Sequence, residues 1–161
     1  MIKPALKKLL KAYPFIELHI VGHLDIPTDM KVYEQQIIVH DYVDWKTLPQ
    51  LISQVDINLA PLVDSIFNRA KSEIKWLEAA MVKVPTIASD IGAFADMVID
   101  GQTGLLAKED EWKEKLDSLI FSAELRQKLA ENAYHFVLEN CSLDNKDEMV
   151  TYFEKNKNNK S

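Results

Sequence analysis

The sequence predicts an α/β fold in which a parallel β-sheet is covered by helices on both faces, giving three layers, α/β/α. Short apolar segments rich in β-branched residues alternate along the chain with longer segments of helical periodicity. The apolar segments are continuous runs, which is typical of strands that are buried on both faces. A chain of 161 residues fits one domain, so we expect one continuous sheet.

The predicted elements follow in order from the N-terminus. Residues 4–13 form an amphipathic helix with leucines on one side and lysines on the other, and Pro14 ends it. Strands are predicted at 15–21, 37–39, 57–60, 85–88 and 105–106, and further helices at 48–54, 71–83, 92–97, 109–121, 122–139 and 143–155. Residues 23–36 read as a loop that can hold a helical turn. Residues 156–161 are predicted to be a disordered tail after a domain of residues 1–155.

Details of packing are also predicted. In the helix at 71–83, Ile74, Leu77 and Met81 recur at helical spacing, so we expect them to face the core. Gly101 and Gly104 lie in a turn and are expected to adopt positive φ angles.

Composition excludes several function classes. The formal net charge of −6 argues against general binding to nucleic acid or to an anionic membrane. Cys141 is the single cysteine, so an internal disulfide and a multi-cysteine zinc site are excluded, and we expect it to pack near a helix start. The four histidines lack a paired metal spacing, and we predict no metal site. His19 and His40 are expected to satisfy local hydrogen bonds. The composition suits a reducing cytoplasm, and no segment suggests membrane insertion.

The polar residues between 67 and 104 suggest an anion site. The loop before the helix at 71–83 delivers Lys71 and Ser72 to a helix start, where free N–H groups and the helix dipole favour phosphates. Glu78 follows Lys71 by seven residues, which on one helix is roughly 10 Å along the same face. This arrangement suits a nucleotide diphosphate and its ribose, although a solvated helix face would show the same spacing.

Other loops are expected at the same edge of the sheet, because ligands of open α/β sheets bind beyond the carboxyl ends of the strands. One follows Val39 and carries Tyr42 and Val43. Another follows Ser89 and carries Asp90, Ile91 and Gly92.

Five segments in this order resemble a known family. They are DYVDW, NLAPL, FNRAKSEIKWLEAA, PTIASDIGAF and VIDGQTGLL. Together they resemble the C-terminal, nucleotide-sugar-binding half of a retaining GT-B glycosyltransferase of family four, over residues 1–140. The resemblance implies a Rossmann-like domain that binds a nucleotide diphosphate sugar as donor and needs no other cofactor.

The resemblance also implies roles for single residues. Glu78 matches a glutamate that binds the ribose hydroxyls. The family places another glutamate eight residues earlier, where this chain has Ala70. Asn68, Lys71 and Glu73 are the side chains available to replace it.

Three loops are implied to contact the donor or face the cleft. Lys71 and Ser72 match a loop near the donor phosphate and sugar. Tyr42 and Val43 match the loop beside the nucleobase. Residues 90–92 match a loop that faces the cleft.

The resemblance further implies partners. The acceptor-binding domain and the first strand of the donor domain are expected to be missing from this chain. A sheet position beside residues 16–21 would then be vacant, and we expect the exposed edge to favour a homo-oligomer. Two other functions stay open: a GT-B relative such as a sugar-nucleotide epimerase, and a non-catalytic binding or interaction domain.

Overall fold

The structure is a computed structural model that describes residues 2–141. The helices are α1 (Lys3–Ala12), α2 (Leu48–Ile52), α3 (Ile66–Arg69), α4 (Ile74–Met81), α5 (Gly92–Met97), α6 (Trp112–Ile120) and α7 (Ala123–Asn140). The strands are β1 (Leu18–Val21), β2 (Ile37–His40), β3 (Asn58–Ala60), β4 (Thr86–Ser89) and β5 (Leu105–Ala107). A 3₁₀ helix, Thr28–Gln36, fills the loop predicted before β2. The predicted helix at 143–155 and the tail at 156–161 lie outside the described residues.

The strands confirm the α/β class, since every strand pair is parallel. The prediction of one continuous sheet is wrong. Hydrogen bonds divide the strands into a pair, β1–β2, and a three-stranded sheet in the order β3–β4–β5. Thus β4 is the central strand of the larger sheet, and all four of its residues are buried.

The helix α1 packs against both sheets. Leu9 belongs to a core cluster that includes Ile87 of β4, while Leu10 belongs to a second cluster that contains Ile37 of β2. Leu6, half-buried, contacts both clusters. The apolar side of this amphipathic helix therefore packs against the cores of both sheets.

The strand β1 is shorter than the apolar run that predicts it. Phe15 lies in a turn after α1 and is 72% exposed. The Gln36 side chain fixes this turn by donating to the carbonyls of Tyr13 and Ile16 at 3.0 and 3.1 Å. Those carbonyls are used by a side chain instead of a strand ladder, so pairing begins only at Leu18.

The buried face of α4 differs from the prediction. Ile74 and Met81 are 54% and 47% exposed. The inward side chain is Trp76, which is fully buried and donates its indole N–H to the Thr103 carbonyl at 2.9 Å. Its neighbours on the buried face are alanines, which let α4 approach α7 closely. The buried Trp76 side chain, and not the spacing of Ile74 and Met81, therefore determines which face of α4 points to the core.

The turn before β5 depends on its two glycines in different ways. Gly101 has a φ of 73°, as predicted. Gly104 does not have positive φ, and that prediction is wrong. It is constrained by space, because a Cβ atom there would lie 2.9 Å from Val98 Cγ1 and 3.1 Å from the Thr86 carbonyl oxygen.

Candidate functional site

The loop after β3 is held in a fixed shape by its own side chains. The Ser65 hydroxyl accepts from the Asn68 N–H at 3.2 Å and caps the short helix α3. The Asn68 side chain donates to the Val63 carbonyl at 2.8 Å. The Arg69 guanidinium donates twice to the Asp64 carboxylate, at 2.6 and 2.7 Å, and lowers the pKa of Asp64. One N–H of the Asn68 amide therefore stabilises the loop, and its second N–H and its oxygen are left for a ligand.

The loop after β4 packs against α3. Gly92 opens α5 with a φ of 54°, and a Cβ atom there would lie 2.6 Å from the Arg69 carbonyl oxygen. The Ser89 hydroxyl, which is buried, accepts from the Leu62 N–H at 2.8 Å and donates to the Leu62 carbonyl at 3.1 Å. Asp90 and Ile91 lie between these two contacts. The structure thus brings the cleft loop of residues 90–92 together with the loop of residues 61–73.

The helical spacing predicted between Lys71 and Glu78 is wrong. The chain turns between α3 and α4, where the Lys71 N–H donates to the Asn68 carbonyl at 3.2 Å. Lys71 and Ser72 precede α4, which begins at Ile74, so they do not share a helix face with Glu78. They do lie at the helix start, as predicted.

The start of α4 is open to a ligand. Glu73 occupies the N-cap position without a side-chain cap hydrogen bond. A helix N-terminus carries partial positive charge and free N–H groups, so an anion is favoured there. Lys71 is exposed, and its Nζ lies 5.1 Å from the centroid of the Phe67 ring. A cation and an uncapped helix start therefore adjoin one another at the edge where β3 and β4 end.

Glu78 lies on the second turn of α4 and is half-buried. Within residues 2–141 its carboxylate makes no hydrogen bond or ion pair, which leaves both oxygens available as acceptors.

Glu73 is also half-buried and lies near Cys141 at the end of α7. Burial, followed by the charge of Glu73, raises the pKa of the Cys141 thiol.

Tyr42 and Val43 are carried by the other sheet. Tyr42 is 91% exposed and stands beside Gly22 at the end of β1, while Val43 is half-buried. Their loop follows β2, so it is separated along the layer from the loops that follow β3 and β4. The structure presents the Tyr42 ring to solvent without joining it to the Lys71 loop.

The histidines predicted to satisfy local hydrogen bonds do so. His19 Nδ1 lies 3.0 Å from His40 Nε2 across the β1–β2 ladder, and His19 Nε2 lies 3.3 Å from Glu17. Within the described part of the chain, no group of three or more His, Cys, Asp or Glu side chains could hold a metal ion.

A cavity of about 300 Å³ lies at the opposite edge of the larger sheet. Its lining includes Asp56, two residues before β3, Pro85, directly before β4, and Arg126 of α7. The cavity is therefore at the amino ends of the strands, away from Lys71 and Glu78. We place the candidate site on the open surface at the carboxyl ends.

Four residues that build the site were not singled out from the sequence: Asp64, Ser65, Arg69 and Ser89. Ser65 has a signal in the sequence, because serine is a typical residue directly before a helix start. Ser89 has no such signal, since it ends an apolar run as any small residue could.

In residues 2–141, no helix combines the length and apolarity needed to span a bilayer.

The fold is that of the C-terminal half of a GT-B glycosyltransferase. The C-terminal domain of LpcC from Francisella tularensis, a group 1 family glycosyltransferase, superposes with a TM-score of 0.65 and 27% identity, over 86% of this chain and 76% of that one. HepE of Anabaena, solved in complex with UDP-glucose, has the same fold at 16% identity and a TM-score of 0.71, over 96% of this chain and 45% of its own.

The sequence profile of the family "Glycosyl transferases group 1" matches residues 1–122, and the chain belongs to this family. An uncharacterized glycosyltransferase of Methanocaldococcus jannaschii is 40% identical over 63 residues, which are 37% of this chain and 18% of that protein. The chain thus covers less than half the length of HepE, and the aligned segment covers about a fifth of the archaeal relative.

Proposed function

We propose that this chain binds the nucleotide diphosphate sugar donor of a retaining glycosyltransferase. The observation that carries the proposal is the uncapped N-terminus of α4 beside Lys71, at the carboxyl edge of the strands. Membership of the group 1 family supports it.

The diphosphate binds at the start of α4. The free N–H groups of the first turn and the Lys71 ammonium supply donors and positive charge for its oxygens. In the transfer reaction, negative charge develops on the departing diphosphate, and groups already held in place stabilise it most. The loop of residues 61–73 meets that condition, because the Ser65 cap, the Asp64–Arg69 pair and the Gly92 contact fix it before a ligand arrives.

Glu78 accepts hydrogen bonds from the ribose hydroxyls. Its carboxylate has no partner within residues 2–141, and a half-buried carboxylate gains more from a donor than an exposed one. On the sugar side, Ala70 provides no carboxylate. One N–H of the Asn68 amide is used by Val63, so the groups available to contact the donor sugar are the rest of that amide, Lys71 and Glu73.

The nucleobase lies against the loop of Tyr42 and Val43. Tyr42 offers an exposed flat ring, which suits stacking on a base. Acceptor recognition belongs to a second domain across the cleft, which residues 90–92 face.

The test is nucleotide binding by the purified chain, measured by isothermal titration calorimetry. UDP is the first probe, because HepE shares the fold and was solved with UDP-glucose. Glu78→Gln should weaken binding by about 1–3 kcal/mol, the scale of hydrogen bonds to a charged group, which is roughly 5- to 150-fold in Kd. Glu114→Gln, a change of the same kind at an exposed position of α6, is the matched control and should leave the affinity unchanged.

Equal affinities for the Glu78→Gln and Glu114→Gln variants would exclude the ribose role of Glu78. Binding that survives both Glu78→Gln and Lys71→Ala would place the nucleotide elsewhere. ADP and GDP are titrated in parallel, since the helix start recognises the diphosphate and not the base.

A further inference from the structure

The short helix α3 carries an apolar side chain, Phe67, that the fold leaves in water. Phe67 is 75% exposed and belongs to none of the three core clusters formed by residues 2–141. The helix itself is fixed, since the Ser65 hydroxyl caps it and the Arg69 side chain donates twice to Asp64. Core packing therefore does not account for a phenylalanine at this position.

Phe67 contacts the ammonium group of Lys71. The Lys71 Nζ lies 5.1 Å from the centroid of the Phe67 ring, within the roughly 6 Å over which an aromatic face attracts a cation. Lys71 follows Phe67 by four positions, a spacing that brings side chains together across one helical turn. The turn between them is closed by the hydrogen bond from the Lys71 N–H to the Asn68 carbonyl at 3.2 Å. The ring and the ammonium are thus held on one side of the same turn.

The partner of Lys71 is a ring, whereas other lysines of the described chain are held by carboxylates. Within residues 2–141, Lys71 forms no ion pair and no side-chain hydrogen bond. A carboxylate cancels the charge of a lysine and accepts its N–H groups, while a ring attracts the cation and leaves its net charge and its donors to an anion. The lysines paired with carboxylates are Lys3, Lys7, Lys83, Lys113 and Lys115.

We infer that Phe67 is a positioning residue for the nucleotide diphosphate, because its ring holds the Lys71 ammonium beside the start of α4 with its charge uncancelled. The inference rests on the proposed function, in which the diphosphate binds at that helix start. A lysine has a long flexible side chain, and restricting it before a ligand arrives reduces the entropy that binding costs. Phe67 acts through Lys71 and does not itself contact the nucleotide.

The test is a double-mutant cycle, read by calorimetric titration of UDP into the complete chain at low ionic strength. Phe67→Leu should weaken UDP binding by about two- to fivefold, the range of a cation–π contact at an exposed site. In the Lys71→Ala chain the same change should have no further effect. Phe67→Trp, which supplies the ring that attracts cations best, should bind UDP at least as tightly as the unaltered chain.

Phe15→Leu is the matched control. Phe15 has nearly the same exposure, 72%, but lies in the turn before β1, away from the start of α4. The substitution removes an equally exposed ring of the same kind, and it should leave the affinity for UDP unchanged.

Three outcomes overturn the inference and leave the proposed function standing, provided that Lys71→Ala itself weakens UDP binding. The first is an affinity of Phe67→Leu that matches Phe15→Leu. The second is a loss from Phe67→Leu that keeps its full size in the Lys71→Ala chain, because the ring would then contact the nucleotide or support the loop instead. The third is a Phe67→Trp chain that binds UDP as weakly as Phe67→Leu. Unchanged affinity in Lys71→Ala would instead remove the diphosphate site of the proposed function, and the inference with it.

Discussion

Replacing Gly92 by alanine tests whether the two loops of the candidate site depend on close contact. Gly92 has a φ of 54°, and the added Cβ would lie 2.6 Å from the carbonyl oxygen and 2.9 Å from the Cα of Arg69. Both atoms belong to the backbone of α3, so no side-chain rotation relieves the overlap. Either α3 or the start of α5 must move.

The expected cost has two parts. A left-handed backbone costs an alanine roughly 1–2 kcal/mol, and overpacking against fixed atoms adds about 1–3 kcal/mol. The sum is about 2–5 kcal/mol, which lowers the Tm by about 4–20 °C in a domain of this size. Movement of α3 also displaces Lys71 from the start of α4, so nucleotide affinity should fall together with stability.

Gly101→Ala is the matched control. Its φ of 73° imposes the same backbone strain, but a Cβ there would have no atom within 4 Å. It should cost only the first part, roughly 1–2 kcal/mol, and leave nucleotide affinity intact. Urea denaturation and calorimetric titration of both variants decide the question. Equal losses of stability in the two variants, with nucleotide affinity unchanged in both, would refute the argument that α3 packs against the loop after β4.

Further predictions concern stability and activity. Hydrogen bonds from Lys7 and Lys3 lower the pKa of Asp29 from 3.8 to about 2, so its stabilising contribution is complete above pH 3.8 and is lost as the pH falls through about 2. Asp29→Asn should therefore lower the Tm at neutral pH, and the Tm values of the variant and the unaltered chain should converge near pH 2. A difference in Tm that stays the same at all pH values would contradict this. Trp76→Phe removes the buried donor to the Thr103 carbonyl, so the free energy of unfolding in urea should fall by about 1–3 kcal/mol. A fall of less than about 0.5 kcal/mol, the size of a surface substitution, would show that the hydrogen bond is dispensable. The isolated chain should show no sugar transfer, because closure against a second domain orders the reactants and excludes water; product formed by purified residues 1–161 in a radiolabelled-donor assay would disprove it.

The sequence predicts best where a single local rule decides the structure. The short helix α5 was placed at its observed bounds, because Gly92 and the buried strand before it limit where the helix can begin. The five strands are found within a few residues of their apolar runs for the same reason. The position of Lys71 and Ser72 just before a helix start also follows from local chemistry.

Prediction fails where distant residues compete. Periodicity favoured Ile74 and Met81 as core residues, but the partner that turns α4 is the Thr103 carbonyl, twenty-seven positions from Trp76. The sequence predicts a loop before residue 71 and a helix from there, whereas the Ser65 cap closes a separate short helix, α3, and α4 begins only at Ile74. The division of the strands into two sheets depends on pairing between segments that are distant in the chain, which no local pattern encodes.

The contacts of α1 have a consequence for the folding cooperativity of the domain. Leu6 contacts the cores of both sheets, and no ladder joins the sheets within residues 2–141. If α1 opened, the β1–β2 pair and the β3–β4–β5 sheet would thus lose their shared contact and could unfold independently. Calorimetric and van't Hoff enthalpies should agree for the unaltered chain and diverge in Leu6→Ala, since the substitution loosens both contacts at once. The helix α1 is then the element that makes unfolding a single transition.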